Sequence, residues 1–187
     1  MTRLLRGGAT ACLLAGSVAA AGPTGDAPVV GVVDLGRGAF RVVAEFDVAH
    51  PAAAVRDVLT DYERIPRFMP EVRTSRLRFR AGSIAVVEQE LAARFFLFST
   101  TLHLRLEVHE EHNVISFRDL AGRSFARYEG RWELTEIDGV TRVRYELLAE
   151  PAFDVPAFLF RRALRGNAAR MVERLRAEVA CRLIEPD

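Results

Sequence analysis

Apolar and polar residues alternate along most of the chain between residues 39 and 149. The first such segment has an apolar residue at every second position: Phe40, Val42, Ala44, Phe46 and Val48. A period of two predicts a β-strand with one buried face. Because no helical pattern separates the later segments, we expect them to form one antiparallel sheet with the first. These further strands are predicted at 72–80, 84–93, 96–108, 114–120, 128–134 and 143–149.

Helical patterns follow the first strand and end the chain. Pro51 suits a first helical position, where its missing N–H is not needed, and Val55 and Val58 begin an apolar stripe behind it. Pro66 and Pro70 end this segment and force turns. From about residue 155 to 183, apolar residues recur every three or four positions and predict one long helix. They are Phe160, Leu164, Ala168, Met171, Leu175 and Val179.

This order of elements predicts an α+β fold. We expect a curved antiparallel sheet of six or seven strands wrapped around the long C-terminal helix, with two short helices after the first strand. A strongly twisted sheet of this size curls, and one helix across its concave side cannot fill the enclosed volume. The sequence therefore predicts a cavity between the helix and the sheet.

The amino-terminal residues predict export. Arg3 and Arg6 precede a short apolar run, and Ala19 and Ala21 offer a small-residue cleavage site before Gly22. The run is too short to span a bilayer. We therefore expect a periplasmic or secreted protein. Its parts would be a signal peptide at 1–21, a flexible leader at 22–36 and a single domain at 37–187.

The amino-acid composition excludes several kinds of binding partner and catalytic site. The 187 residues carry a formal net charge of +1, so we expect no nucleic-acid partner. The chain contains no lysine, which excludes a Schiff-base lysine and a phosphate-loop lysine. After cleavage Cys181 is the remaining cysteine, so we expect no internal disulfide. His103 and His109 are too far apart on one strand for a joint site, and we expect neither a metal nor a cofactor.

Three segments resemble the coenzyme Q-binding branch of the START-like polyketide cyclase superfamily. The most specific features are Asp61-Tyr62 ahead of the two prolines, and Tyr128-Glu129-Gly130 ahead of Trp132. The resemblance extends from about residue 40 to 183. It implies a helix-grip fold, in which the C-terminal helix closes a deep hydrophobic cavity. The segments are DVLTDYERIPRFMPEV, RYEGRWELTE and EPAFDVPAFLFRRALR.

The implied fold locates the candidate ligand-binding residues. The short helices lie near the cavity opening, which Tyr62, Ile65, Phe68 and Met69 would line, unless they only cap the core. Asp119 shares a strand face with Phe117 and would be either a ligand anchor or the partner of a nearby arginine. The remaining candidates are Phe96, Phe98, Phe117, Tyr128, Trp132 and Tyr145, on strand faces that we assign to the concave side, and Phe158, Leu164 and Met171 on the helix.

Two main functions fit this sequence, beside a third possibility, an interaction domain whose cavity is collapsed. The first is a non-catalytic, exported carrier or chaperone for a hydrophobic molecule such as a quinone, an isoprenoid or another lipid. The alternative is a cyclase or aromatase that acts on a polyketide-like substrate in the same cavity, although the sequence reveals no acid–base pair for it. Aromatic and basic residues at the start of the last helix also predict transient membrane contact, unless the arginines are simply solvated. These residues are Phe158, Arg161, Arg162 and Arg165.

Overall fold

The computed structural model describes residues 28–95 and 98–184. Within these ranges the strands are β1 (Val29–Gly36), β2 (Ala39–Val48), β3 (Val72–Ala81), β4 (Ile84–Phe95), β5 (Phe98–Glu110), β6 (Val114–Asp119), β7 (Phe125–Ile137) and β8 (Val140–Pro151). The helices are α1 (Ala52–Thr60), α2 (Ile65–Phe68) and α3 (Ala157–Ile184), with a 3₁₀ turn at Tyr62–Arg64 between the first two.

All the strands join one antiparallel sheet in the order β1-β2-β8-β7-β6-β5-β4-β3. In this order β2 pairs with β8, so that Val42 lies opposite Leu147, and β7 pairs with β8, so that Trp132 lies opposite Tyr145. Opposite residues in a ladder point to the same face of the sheet. The alternating apolar positions of neighbouring strands therefore form one continuous concave surface.

The predicted α+β helix-grip architecture is confirmed, with one correction at its start. Residues 29–36, which we assigned to the flexible leader, form strand β1 and pair with β2. Val32 is only 4% exposed, so this strand contributes to the core. Its glycines suggested a leader, but Gly36 and Gly38 serve the turn into β2, where both have a φ of +81°. The sheet consequently has eight strands, and the short helices follow the second strand.

Helix α3 lies across the concave face, mainly on β1 and β2. The ring of Phe160 packs edge-on against Phe40, with centroids 5.4 Å apart. Arg176 places its guanidinium 5.5 Å from the ring centroid of Phe46 and donates a hydrogen bond to the carbonyl oxygen of Asp47 at 2.9 Å. These contacts set the helix over one half of the sheet. Its buried stripe consists of Phe160, Ala168, Val172, Leu175 and Val179.

Ion pairs hold the second half of α3 against the segment between α1 and β3. The Glu71 carboxylate accepts hydrogen bonds from Arg170, at 2.9 Å, and from Arg174. Burial alone would raise the pKa of Glu71, but the Arg170 hydrogen bond and both guanidinium charges hold that pKa below its usual value. Arg182 donates to Asp61 at 2.9 Å. The position of the helix is therefore set by contacts far apart in sequence.

Candidate ligand-binding face between the helix and the sheet

The concave face is unevenly covered. Beneath α3, the apolar side chains of β2 and their partners on β8 are buried. On β4, β6 and β7, several apolar side chains of the same face are only half-buried, and two α3 side chains beside the buried stripe are half-buried as well. We call this set the concave strip. It consists of Leu91, Phe117, Tyr128, Trp132, Leu164 and Met171.

Aromatic rings dominate the sheet side of the concave strip. Tyr128 lies 4.7 Å from the buried Phe125 and 5.9 Å from Phe117, measured between ring centroids. Trp132 lies 4.3 Å from the buried Tyr145. Such tilted arrangements are favourable for aromatic pairs and fix the rings in place. The structure thus brings together four of the residues that the sequence assigned to the concave face.

Gly130 makes this aromatic arrangement possible. It lies between Tyr128 and Trp132 on β7 and pairs with Phe117 on β6. A Cβ atom at this position would lie 2.3 Å from the carbonyl oxygen of Glu146 and 2.6 Å from the Phe117 ring. Only a glycine therefore lets the ring lie so close to the strand. The resemblance to the superfamily included Gly130, but the sequence did not indicate why a glycine is needed.

The hydroxyl groups of Tyr128 and Tyr145 form a polar group on this face. The two hydroxyls lie close enough for each to influence the pKa of the other. Burial, and secondarily the charge of Asp119, raises the pKa of Tyr128 to about 12, although the neighbouring Tyr145 hydroxyl lowers it. Burial is also the main cause of the raised pKa of Tyr145. Both phenols therefore stay protonated at neutral pH and can only donate or accept hydrogen bonds.

Asp119 serves the structure of the β6–β7 turn. Its carboxylate accepts hydrogen bonds from the backbone N–H groups of Arg105, Ala121 and Gly122, at 2.8, 3.1 and 3.0 Å. These three bonds occupy the carboxylate and fix the turn that follows β6. Neither of the two roles that the sequence suggested, a ligand anchor or an ion pair with a neighbouring arginine, describes this arrangement.

Tyr62 is an anchor for the short helices. Its hydroxyl donates to Oε1 of Glu110 at 2.7 Å, and Arg80 Nη2 lies 3.0 Å from the same oxygen. The Glu110 side chain is only 8% exposed, and burial followed by this hydrogen bond raises the pKa of Tyr62 well above its usual value. We did not single out Glu110 from the sequence. The signal was its position, since it continues the buried alternation of Leu106 and Val108 along β5.

The other candidates near the predicted opening are less buried than Tyr62. Ile65, Phe68 and Met69 are half-buried and pack against the core, which fits the capping role and leaves part of each side chain accessible. Phe96 lies outside the described residues. Phe98 is the first residue of β5 and pairs with Phe95.

The start of α3 is separate from the concave strip. Phe158 is 71% exposed and lies, with three arginines and Asp34 of β1, around a pocket of about 460 Å³. Among the described residues none of these arginines has an ion-pair partner. Phe158 therefore belongs to the surface rather than to the concave strip. The arginines are Arg161, Arg162 and Arg165.

Comparison with known families agrees with this geometry. The model of the family described as "Polyketide cyclase / dehydrase and lipid transport" matches residues 48–176. The chain belongs to this family. The resemblance to START-like proteins, drawn from the three sequence segments, is thereby confirmed. A search of curated protein sequences finds no match.

Solved structures share the fold of this family member. An aromatase/cyclase from Streptomyces, Zhui, is 15% identical and has a TM-score of 0.67, covering 78% of this chain and 96% of its own. A START superfamily protein from Mycobacterium smegmatis is 17% identical with a TM-score of 0.64, covering 75% and 97%. A STAR-related lipid transfer protein from Xanthomonas axonopodis is 17% identical with a TM-score of 0.58, covering 81% and 98%. At these identities the similarity shows the fold alone.

The described residues also show which ligand-binding groups this family member has. In the ranges 28–95 and 98–184, no group of three or more His, Cys, Asp or Glu side chains could hold a metal ion. None of the helices in that part of the chain is both long and apolar enough to cross a membrane. Of the carboxylates on the concave face, Glu110 and Asp119 are both engaged in fixed hydrogen bonds. The concave strip itself offers apolar surface, the hydroxyl of Tyr128 and the indole N–H of Trp132.

Proposed function

We propose that this protein binds a hydrophobic small molecule on the concave strip and acts as a carrier or chaperone for it. The observation that supports this proposal is the half-exposure of apolar side chains that face the inside of the fold. Tyr128, for example, is half-buried although its neighbours Phe125 and Ala149 are buried. A ligand that covers the concave strip completes the burial of these side chains.

Burial of apolar surface supplies enough free energy for such binding. A ligand that loses about 400 Å² of apolar surface gains roughly 10 kcal/mol at about 25 cal/mol per Å². Losses of translational and side-chain freedom reduce this gain by at least roughly 4 kcal/mol. The remaining gain of about 6 kcal/mol or less corresponds to a dissociation constant of about 40 μM or weaker. This range suits a carrier, which must release its cargo.

The polar groups of the concave strip favour a neutral ligand with a hydrogen-bond acceptor. Tyr128 stays protonated at neutral pH, so its hydroxyl can donate a hydrogen bond to a carbonyl or ether oxygen. The residues of the concave strip carry no formal charge, so a carboxylate or phosphate bound there would lack a counter-ion. A quinone or an oxygenated isoprenoid has the required combination of apolar surface and acceptor.

A carrier agrees better with these residues than a cyclase does. General acid–base catalysis at neutral pH requires a group whose pKa lies near 7. The pKa values of Tyr128 and Tyr145 are instead raised above 10. Glu110 is held by Tyr62 and an arginine at the end of the sheet. These groups can orient a ligand by hydrogen bonding, but they are unsuited to removing a proton from it.

We further propose that the carrier is exported and loads its cargo at an anionic membrane. The charged and apolar runs of residues 1–21 support export. The exposed Phe158 and the unpaired arginines at the start of α3 support the membrane contact. Each arginine near an anionic surface contributes about 1 kcal/mol, so Arg161→Gln with Arg162→Gln is expected to weaken binding to phosphatidylglycerol vesicles by roughly 30-fold.

The control for vesicle binding is Arg37→Gln with Arg67→Gln. These two arginines are exposed and unpaired among the described residues, and they lie outside the α3 pocket. Their removal changes the net charge by the same amount, so co-sedimentation with the vesicles should stay at the wild-type level. An equal loss in both double variants would contradict a localised membrane contact and leave only a general effect of charge.

Native mass spectrometry of protein purified from its own host, with extraction of bound lipids, tests the carrier proposal directly. We expect a neutral hydrophobic molecule at a ratio near one per chain. Trp132 is the sole tryptophan, so its fluorescence also reports binding of a short-chain ubiquinone to the purified protein. A protein that arrives empty and shows no saturable quenching by quinone or isoprenoid probes would refute the proposal.

A pair of variants locates the bound molecule. Phe117→Ala removes an aromatic ring from the concave strip, and the loss of about 50 Å² of contact should weaken quinone binding roughly tenfold. Phe79→Ala removes the same side chain from the outer face, where it is 55% exposed, and should leave binding unchanged. Equal affinities of the two variants would place the ligand elsewhere.

A further inference from the structure

The outer face of the sheet carries a second pocket, which the proposed carrier function does not use. It has a volume of about 510 Å³ and is formed by β3, β4, β5 and the turn after β6. In the strand register, Arg76 lies opposite Glu88, and Glu88 lies opposite Arg105. These residues are on the face of the sheet opposite to that of the buried Leu104. The pocket is therefore on the convex side of the sheet, away from α3. Its size falls within the range of small-molecule sites.

Several arginines elsewhere on the outer face are paired with carboxylates. Arg142 lies 3.0 Å from Asp47, and Arg118 lies 2.7 Å from Glu107. Arg144 lies 2.6 Å from a carboxylate oxygen of its own strand. Ion pairs therefore neutralise much of the outer face of β2, β5, β6 and β8.

The pocket departs from this arrangement. Glu88 is already engaged, because it accepts from Nε of Arg78 at 2.7 Å, whereas Glu90 lies 3.8 Å from the ring of His103. Three further arginines around the pocket have no carboxylate partner in the described part of the chain. They are Arg76, Arg105 and Arg123. Three guanidinium groups close together attract an anion. The N–H groups of each planar guanidinium can also donate two parallel hydrogen bonds to the oxygens of a carboxylate or phosphate.

The turn that forms one wall of the pocket is held in place. Asp119 accepts the backbone N–H groups of Ala121 and Gly122, and Gly122 has a φ of +60°, which favours glycine. The third N–H that Asp119 accepts belongs to Arg105, so the same carboxylate ties the turn to β5. This turn places Arg123 and the exposed Leu120 beside the strand arginines. The positive side of the pocket is therefore built before any ligand arrives.

We propose that this outer pocket binds a small molecule with two or more carboxylate or phosphate groups. The three unpaired arginines bind its anionic groups, and Leu120 contacts its apolar part. The site is independent of the concave strip and of the start of α3. It gives the protein a second ligand, of opposite chemical character to the neutral molecule proposed for the concave strip.

Isothermal titration of the full-length protein with pyrophosphate and with citrate tests the outer pocket, at an ionic strength kept constant with sodium chloride. We expect saturable binding of at least one of the two, and the probe that binds identifies the anionic group. Arg76→Gln with Arg105→Gln should weaken this binding by at least tenfold. The control Arg37→Gln with Arg67→Gln, which changes the net charge equally, should bind like the wild type. Near-ultraviolet circular dichroism establishes that both variants are folded.

Two results would overturn the proposal. The first is the absence of saturable heat with both probes, since the unpaired arginines would then be ordinary solvated side chains. The second is an equal loss in the two double variants, which would reduce the effect to the general charge of the protein. Either result leaves the carrier proposal intact, because quinone quenching of Trp132 depends on the opposite face of the sheet.

Discussion

Replacement of Gly130 by alanine tests the aromatic arrangement on the concave face. The added Cβ would lie 2.3 Å from the Glu146 carbonyl oxygen and 2.6 Å from the ring of Phe117. Both distances are shorter than any relaxed contact of a carbon atom. The ring can turn away, but the carbonyl oxygen belongs to the β7–β8 ladder and moves only with its strand. The substitution must therefore distort the sheet as well as the site.

The expected size of the effect follows from two opposing terms. Overpacking of a filled interior costs about 3 kcal/mol when the backbone has to move. Alanine has less conformational freedom than glycine in the unfolded chain, so the substitution also stabilises the folded state by about 1 kcal/mol or less. The free energy of unfolding should thus fall by about 2 kcal/mol, which lowers the melting temperature of a chain of this size by about 4–8 °C.

Urea unfolding followed by the fluorescence of Trp132 measures this change, since the tryptophan lies two residues from the substitution. Gly31→Ala is the matched control, because its Cβ would meet no atom closer than 4.0 Å and the strand should be as stable or slightly more stable. If Gly130→Ala unfolded at the same urea concentration as the wild type, the close approach of Phe117 to β7 would be refuted.

The remaining predictions concern the buried tyrosines. Tyr62→Phe removes the hydrogen bond to Glu110 while Arg80 still faces the carboxylate, so the free energy of unfolding should fall by about 1.5 kcal/mol in urea titrations. An unchanged urea midpoint would show that the arginine alone satisfies Glu110. The pKa of each of the three tyrosines in the chain is raised from 10.0. The folded protein therefore retains tyrosine protons that the unfolded chain loses, and its stability should fall as the pH rises above 10. Absorbance at 295 nm should show no tyrosinate in the folded protein near pH 10.5; a half-ionised tyrosine there would contradict the burial of these hydroxyls.

Strand positions and core faces could be predicted from the sequence because they depend on local periodicity. Successive side chains of a strand point to opposite faces, so the alternation from Phe40 to Val48 identifies the buried positions of β2 without any knowledge of its partners. The same rule identified the interior faces of β7 and β8. It did not identify β1, because two glycines in a strand of eight residues weaken the pattern that two inward valines create.

The candidate site could be predicted only in part. Its aromatic residues were assigned to the correct face, since the face to which a side chain points depends only on whether its position along the strand is odd or even. Their degree of exposure was not predictable, because it depends on which half of the sheet α3 covers. Long-range contacts decide that position, among them Phe160 on Phe40 and Arg170 on Glu71.

The sequence by itself therefore determined every element except β1, the inward faces of the strands and the family to which the chain belongs. Tertiary structure alone decided which inward residues stay accessible, why residue 130 must be a glycine, and where arginines lack partners. The physical reason is that periodicity is a property of one segment. Exposure, close approach and charge pairing each arise between segments that only the folded chain brings together.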